Sequence, residues 1–222
     1  MRKLLLPGLL SFNGGFVDTA GFLGLQGLFT AHVTGNFVTL GAALVFGTHG
    51  VIAKVLALPE FVVVVALARL IGSALRARGA DALRVLLVIK VICLLAFFVL
   101  AVGFGPFPDS DAPWALLTGF AGIAGMAIQN AVQRVHYAAM PPTTLMTGNT
   151  TQVVLDAVDL WRPQPGMDTA AIRARFARML RGIASFAAGC AVAAILYYFV
   201  GFWCLALPVA VGAATAILRD AG

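Results

Sequence analysis

Two copies of one polar word, Thr34-Gly35-Asn36 and Thr147-Gly148-Asn149, stand inside apolar stretches of the chain. Hydroxyls and amides are costly at membrane depth unless something there satisfies them. Asn offers two donors and an acceptor, and Gly lets the backbone leave a helix or approach a neighbour closely. Thr bonds its own helix or faces a cavity. Upstream of each word, at nearly matching distance, stand further polar residues: Asp18 before the first, Gln129 and Asn130 before the second. Residues of these types suit a lined pathway for a small polar solute or ion. The competing chemistry is packing, with each Asn hydrogen-bonded between helices. His32 and Arg69 are accessory candidates, His32 as a titrating group or a hydrogen-bonded structural residue. Asp18 serves either as a carrier of a proton or cation, or as the buried counter-charge of Arg69.

These residues sit in a chain that is 61% hydrophobic and 11% charged, with a mean hydropathy of +0.97. That composition identifies an integral membrane protein. The net charge of +6 is carried at the ends of apolar runs, not on a stripe interleaved with aromatics, so nucleic acid is not an expected partner. Cys93, Cys190 and Cys204 all lie in apolar runs without metal-site spacing and read as small hydrophobes. There is no phosphate loop, zinc-protease motif or nucleophile elbow, and one deep acid does not make an intramembrane protease. The expectation is a non-enzyme with no cofactor and no metal.

A first helix is expected from about Leu5 to Leu25, opening on Met1-Arg2-Lys3 as a retained span with a polar middle. At ~1.5 Å per residue, Asp18 lies some 20 Å from that basic start, deep in a hydrocarbon layer about 30 Å thick. The first Thr-Gly-Asn segment follows, then spans from about Val51 to Leu75 and Val85 to Phe104. Lys90 is expected to snorkel to the headgroups and Glu60 to lie at the interface. The turn-rich loop from Gly105 to Pro113 has no basic residue and divides the chain into repeats 1–104 and 113–222 of one membrane domain. The second half brings a span from about Trp114 to Val132 and the second Thr-Gly-Asn segment. A basic piece capped by Asp168 or Thr169, expected along the membrane surface, then leads to two joined spans in Gly182–Leu218.

Eight crossings would leave Arg76, Arg78 and Arg84, or the group from Arg162 to Arg181, on the external side. With both Thr-Gly-Asn segments entering and leaving on one side, those groups, Arg134 and both termini fall in the cytoplasm, and only Lys54 among the basic residues stays outside. The expected fold is therefore an all-α polytopic membrane protein of six transmembrane helices plus two re-entrant or broken half-helices. Three crossings per half make the two repeats inverted, with the two words meeting near the midplane. There, half-helix N-termini would suit an anion or polar solute, and unwound carbonyls a cation.

Gly15-Phe16-Val17-Asp18 with Ala20-Gly21-Phe22-Leu23 and His32-Val33-Thr34-Gly35-Asn36 resembles the YoaK-like family of bacterial inner-membrane proteins. So does Gly125-Met126-Ala127-Ile128-Gln129-Asn130-Ala131 followed by Leu145-Met146-Thr147-Gly148-Asn149. Arg69 departs from the small or apolar residue expected there, which marks a local ion pair. The resemblance covers nearly the whole chain and implies a polytopic protein of the cytoplasmic membrane, with no activity attached. The functional expectation is a transporter or channel for a small polar or ionic solute, within one chain or a homo-oligomer. The alternative is a non-transporting membrane scaffold or subunit.

Overall fold

The computed structural model describes residues 2–48 and 50–218. The side chains of Arg2 and Lys3 and the whole of Arg219 and Asp220, which the charge count above uses, lie outside the described residues. Eight α-helices follow one another: α1 Arg2–Gly24, α2 Gly35–Phe46, α3 Val51–Ala77, α4 Ala82–Phe104, α5 Pro113–His136, α6 Met146–Trp161, α7 Thr169–Val200 and, after a 3₁₀ turn at Gly201–Leu205, α8 Ala206–Leu218. Four stretches are long and apolar enough to cross a membrane, namely α3, α4, α5 and the run Thr169–Ile217, while α2 is a shorter apolar helix. The polar residues Asn13 and Asp18 in α1 keep it less apolar than those four, although its 23 residues match them in length.

Local chemistry sets the boundaries. Asp81 accepts from the Arg84 amide and Asp168 from that of Ala171, capping α4 and α7. Asp111, in the loop between the halves, caps α3 from a distance by accepting from the amides of Gly50 and Ala53. Pro113 opens α5, where its missing N–H costs nothing. Gly47 closes α2 in the left-handed region, with φ of 63°.

Residue pairs across the interfaces give the direction of each helix. Ser11 faces Gly182, Gly15 faces Cys190 and Gly24 faces Tyr197, so α1 and α7 run parallel. The chain then reverses at Gly201, whose φ is 55°. Phe202 lies on Gly24 and Gly212 on Asn13, which runs α8 back along α1. The other half repeats this arrangement. α5 runs antiparallel to α4, with Gly122 on Phe97 and Gly125 on Leu94. It runs parallel to α3, whose start is held by Asp111 and whose end meets Val135 and His136. Each opening helix thus packs on the third and fourth helices, α1 on those of the second half and α5 on those of the first. Between the halves, α1 and α5 are antiparallel, since Gln129 reaches Leu10 while Leu25 and Leu28 lie on Gly119. α4 and α8 are antiparallel as well, with Phe98 on Trp203 and Leu94 on Gly212.

Three expectations change. The basic segment is no separate surface helix: it forms the first turns of α7, a continuous helix of 32 residues. At 1.5 Å per residue that is about 48 Å, so some 18 Å projects beyond a 30 Å hydrocarbon layer. The projecting end packs on α6 through a two-point pair of Arg175 with the buried Asp156, at 2.6 Å. The Arg175 hydrogen bonds hold the Asp156 carboxyl below the usual carboxylate range. Because the folded value is depressed, the pair contributes above the ordinary carboxylate pKa and is lost only as pH falls through the lowered value. Lys90 does not snorkel, being fully buried. And α2 packs on α3 and α6 on α7, with no contact between α2 and α6, so the two half-helices do not face each other.

Lipid offers no hydrophobic drive for helix association, so close backbone packing has to supply it. The α1–α7 crossing does this with glycines. A Cβ on Gly15 would overlap the Phe186 carbonyl, and one on Gly189 the Phe12 carbonyl. Substituting Gly15→Leu or Gly189→Leu should abolish the monodisperse protein peak in detergent, whereas Gly148→Ala, which meets nothing within 4 Å, should leave peak and melting temperature unchanged.

Candidate functional site

The Asn of each polar word pins the loop ahead of it. Asn36 accepts from the Phe29 amide at 2.9 Å and donates to the Phe29 carbonyl at 2.9 Å, a reciprocal pair seven residues apart. Asn149 makes the matching reach of seven residues to the Pro142 carbonyl, at 2.9 Å. Proline has no N–H to return, so this second latch has one backbone bond where the first has two. Its other contact is a weak one to the Met146 sulfur at 3.5 Å. Within each word only the Asn is buried. Thr34, Thr147 and Gly148 are exposed, and Gly35 is half-buried where a Cβ would press on the Phe29 ring, 2.9 Å away.

The preceding helix grips the same loop from the other side. One Asp18 oxygen accepts from the amides of Thr30 at 2.9 Å, Ala31 at 2.7 Å and His32 at 3.2 Å. Thr30 adds a hydroxyl bond to the Val17 carbonyl. In the second half Gln129 donates to the Thr143 hydroxyl, and Asn130 accepts from that of Thr144 at 2.8 Å. Thr30 and Thr143 stand equally far ahead of their Asn, and both loops are wedged between α1 and α5. Thr30 fills the space over Gly21 and Gly122, and Thr143 lies on Gly14 beside Gln129. The first loop is held by one carboxyl oxygen that accepts from three backbone amides, the second by side-chain amide and hydroxyl bonds to Thr143 and Thr144.

Asp18 is therefore not the counter-charge of Arg69. Arg69 lies exposed on α3 in a small cleft with Arg76 and His136. His32 is half-buried, its ring 6.1 Å from that of Phe29. The first amides of α2 close onto the carbonyls of His32, Val33 and Thr34, so that helix start offers no free donor array to a ligand.

The second loop also walls a cavity. About 400 Å³ lies between Gly8, Ser11 and Phe12 of α1, Arg178 and Ser185 of α7, and the loop segment Met140–Pro142. The carbonyl that Asn149 holds belongs to Pro142, so the weaker latch controls that wall. On α4, the Lys90 Nζ donates to the Asn13 side-chain oxygen at 3.1 Å, and the Asn13 amide donates to the Pro208 carbonyl. No carboxylate lies within ion-pair distance of Lys90 among the described residues. Gln129 donates to the Leu10 carbonyl at 2.8 Å and leaves its own buried Oε1 unpaired.

Sequence reasoning missed four participants. They are the buried Lys90, its partner Asn13, Glu60, whose Oε2 is buried without a partner, and Gln133, which donates to the Met140 carbonyl at 3.1 Å. A signal existed for Gln133, which sits one turn after Gln129 on the same face of α5. Among the described residues no cluster of His, Cys, Asp or Glu is composed to hold a metal ion.

The two latches predict unequal mutational costs. A buried backbone group left without a partner costs about 1–3 kcal/mol. Asn36→Ala orphans an N–H and a C=O and should lower stability about twice as much as Asn149→Ala, read as detergent-resistant melting. Asp18→Ala, which orphans three amides, should be the most damaging, with Asp18→Asn intermediate because an amide oxygen still accepts.

No curated protein and no solved structure matches the chain. The family model described as "Protein of unknown function (DUF1275)" matches residues 6–218, in accord with the resemblance drawn from the paired motifs. With nearly its whole length covered, loops and both latching Asn residues included, the chain belongs to the DUF1275 family.

Proposed function

We propose that the protein is a transporter of a small polar or ionic solute, not an enzyme, working in the bacterial cytoplasmic membrane with both termini in the cytoplasm. Six helices, α1, α3, α4, α5, α7 and α8, cross, and α2 and α6 are half-helices entering from opposite sides. Two inverted repeats are supported by the antiparallel pairs α1–α5 and α4–α8 and by the exchange of packing partners between halves. The alternation of helix directions puts Arg76, Arg78, Arg84, Arg134 and the start of α7 on one side and Asp109 and Asp111 on the other, the distribution that cytoplasmic loops favour. Lys54, the basic residue on the acidic side, is held by the Gln26 carbonyl at 3.0 Å.

The observation that carries the proposal is the asymmetry between two otherwise equivalent loops. The first is packed tight and held by Asp18 and a reciprocal Asn36 latch. The second is held by neutral bonds and one Asn149 bond and borders the open cavity on the cytoplasmic side. Broken helices at the interface of inverted repeats, one closed and one open, are the arrangement alternating access requires. Movement of Met140–Pro142 would open or close the cavity while the first loop stays shut.

A scaffold is the second reading, favoured by one fact: both Asn side chains are consumed by their own loops. Flux separates the two. Purified protein in proteoliposomes should move at least one member of a panel of ions, amino acids and small metabolites. Ala188→Trp, placed on the exposed cavity wall, should cut that flux at least about tenfold, corresponding to about 1.4 kcal/mol, with the melting temperature kept. No flux across the panel supports the scaffold and sinks the transporter.

A further inference from the structure

From the lining of the cavity between α1, α7 and the second loop we infer that it binds a small organic anion with an apolar body, the substrate class of the proposed transporter. As a substrate assignment this rests on the transport reading. As a binding site it stands by itself.

Two sides of the cavity are largely hydrocarbon: Pro7, Leu9 and Phe12 of α1 and Met140, Pro141 and Pro142 of the loop. Such walls favour an apolar body and offer little to a hydrated inorganic ion or a sugar. The mouth has the opposite character. Arg178 and Arg181 lie three residues apart on α7, hence on one face, and both line the cavity. Neither makes an ion pair among the described residues. Arg181 spends its Nε on the Ala177 carbonyl, at 3.0 Å, which fixes the stem and leaves the terminal amines of the guanidinium to an incoming acceptor. Arg175, one turn earlier, shows the contrast, since its guanidinium is committed to Asp156. Two uncommitted guanidiniums beside an apolar recess match a carboxylate, sulfonate or phosphate joined to a ring or short chain.

Size selects the source. About 400 Å³ is at the lower end of the ~300–1,000 Å³ range of small-molecule pockets, room for a body of one or two rings but not for the paired acyl chains of a phospholipid. Ser11 and Ser185, both on the lining, add hydroxyls to it.

The test uses the full chain in phosphatidylcholine nanodiscs with three probes sharing one body: 2-naphthoate, 2-naphthalenemethanol and 2-naphthylmethylamine. Isothermal titration should show saturable binding of naphthoate, at least about tenfold weaker binding of the alcohol, and none of the amine. Arg178→Gln and Arg181→Gln should each weaken naphthoate about tenfold with the melting temperature unchanged, and Ala188→Trp should block it. Equal binding of all three probes, no binding of naphthoate, or indifference to both arginine variants overturns the proposal. So does loss of naphthoate binding when phosphatidylglycerol is included in the disc, which assigns the cavity to lipid. Naphthoate binding without flux in proteoliposomes upholds the site and sinks transport. Flux of a cation without naphthoate binding upholds transport and sinks the anion.

Discussion

Non-helical backbone inside a bilayer has to find its hydrogen-bond partners within the protein, because hydrocarbon supplies none. This chain leaves the helix twice at equivalent places, and the buried side chains of Asp18, Asn36, Gln133 and Asn149 bond the backbone there. Asp18 answers three amides with one carboxylate oxygen. Asn36 closes both polar groups of Phe29, and Asn149 closes the carbonyl of Pro142. The helices then arrange themselves around the two satisfied loops. α1 and α5 meet at only a few points, with the loops lodged between them, and each turns to the third and fourth helices of the opposite half for most of its packing. The glycines at the α1–α7 crossing let that exchange happen at backbone contact.

The second half solves the same problem with weaker means. Where the first uses the Asp18 carboxyl, the second uses Gln129 and Asn130, and where the first offers an N–H to Asn36, the second has proline. A single substitution at that loop position thus removes a hydrogen bond without altering the fold, and it falls beside the cavity between α1, α7 and the second loop. Looser attachment next to a cavity is what a moving part needs, since segments that rearrange are drawn from the low-stability end of a structure.

Much of this was legible in the sequence. The repeated word stands out because polar residues are rare in apolar sequence. Asp18, Gln129 and Asn130 stand out in the sequence as pathway candidates, and in the structure all three bond the loops that the two words close. Their task was not legible, since an acid at membrane depth reads equally as a carrier or an ion-pair member until the loop amides it holds are located. Lys90 was misplaced for a related reason. Distance from a helix end suggests snorkelling, but its partner Asn13 is on a different helix and far away in sequence, and only the α1–α4–α8 packing brings them together. The half-helices were expected to meet because inversion points them inward. Instead each lies on the third helix of its own half, leaving the loops, not the helix ends, between α1 and α5.

Hydrogen–deuterium exchange of the two loops in lipid nanodiscs tests the central claim most directly, because it reads the latches without presupposing a substrate. Amides of Phe29–His32 should exchange slowly, near the rate of the flanking helices, and those of Thr143–Leu145 markedly faster. Equal protection of the two loops, or faster exchange in the first, would contradict an account in which one loop is locked and the other is free to move.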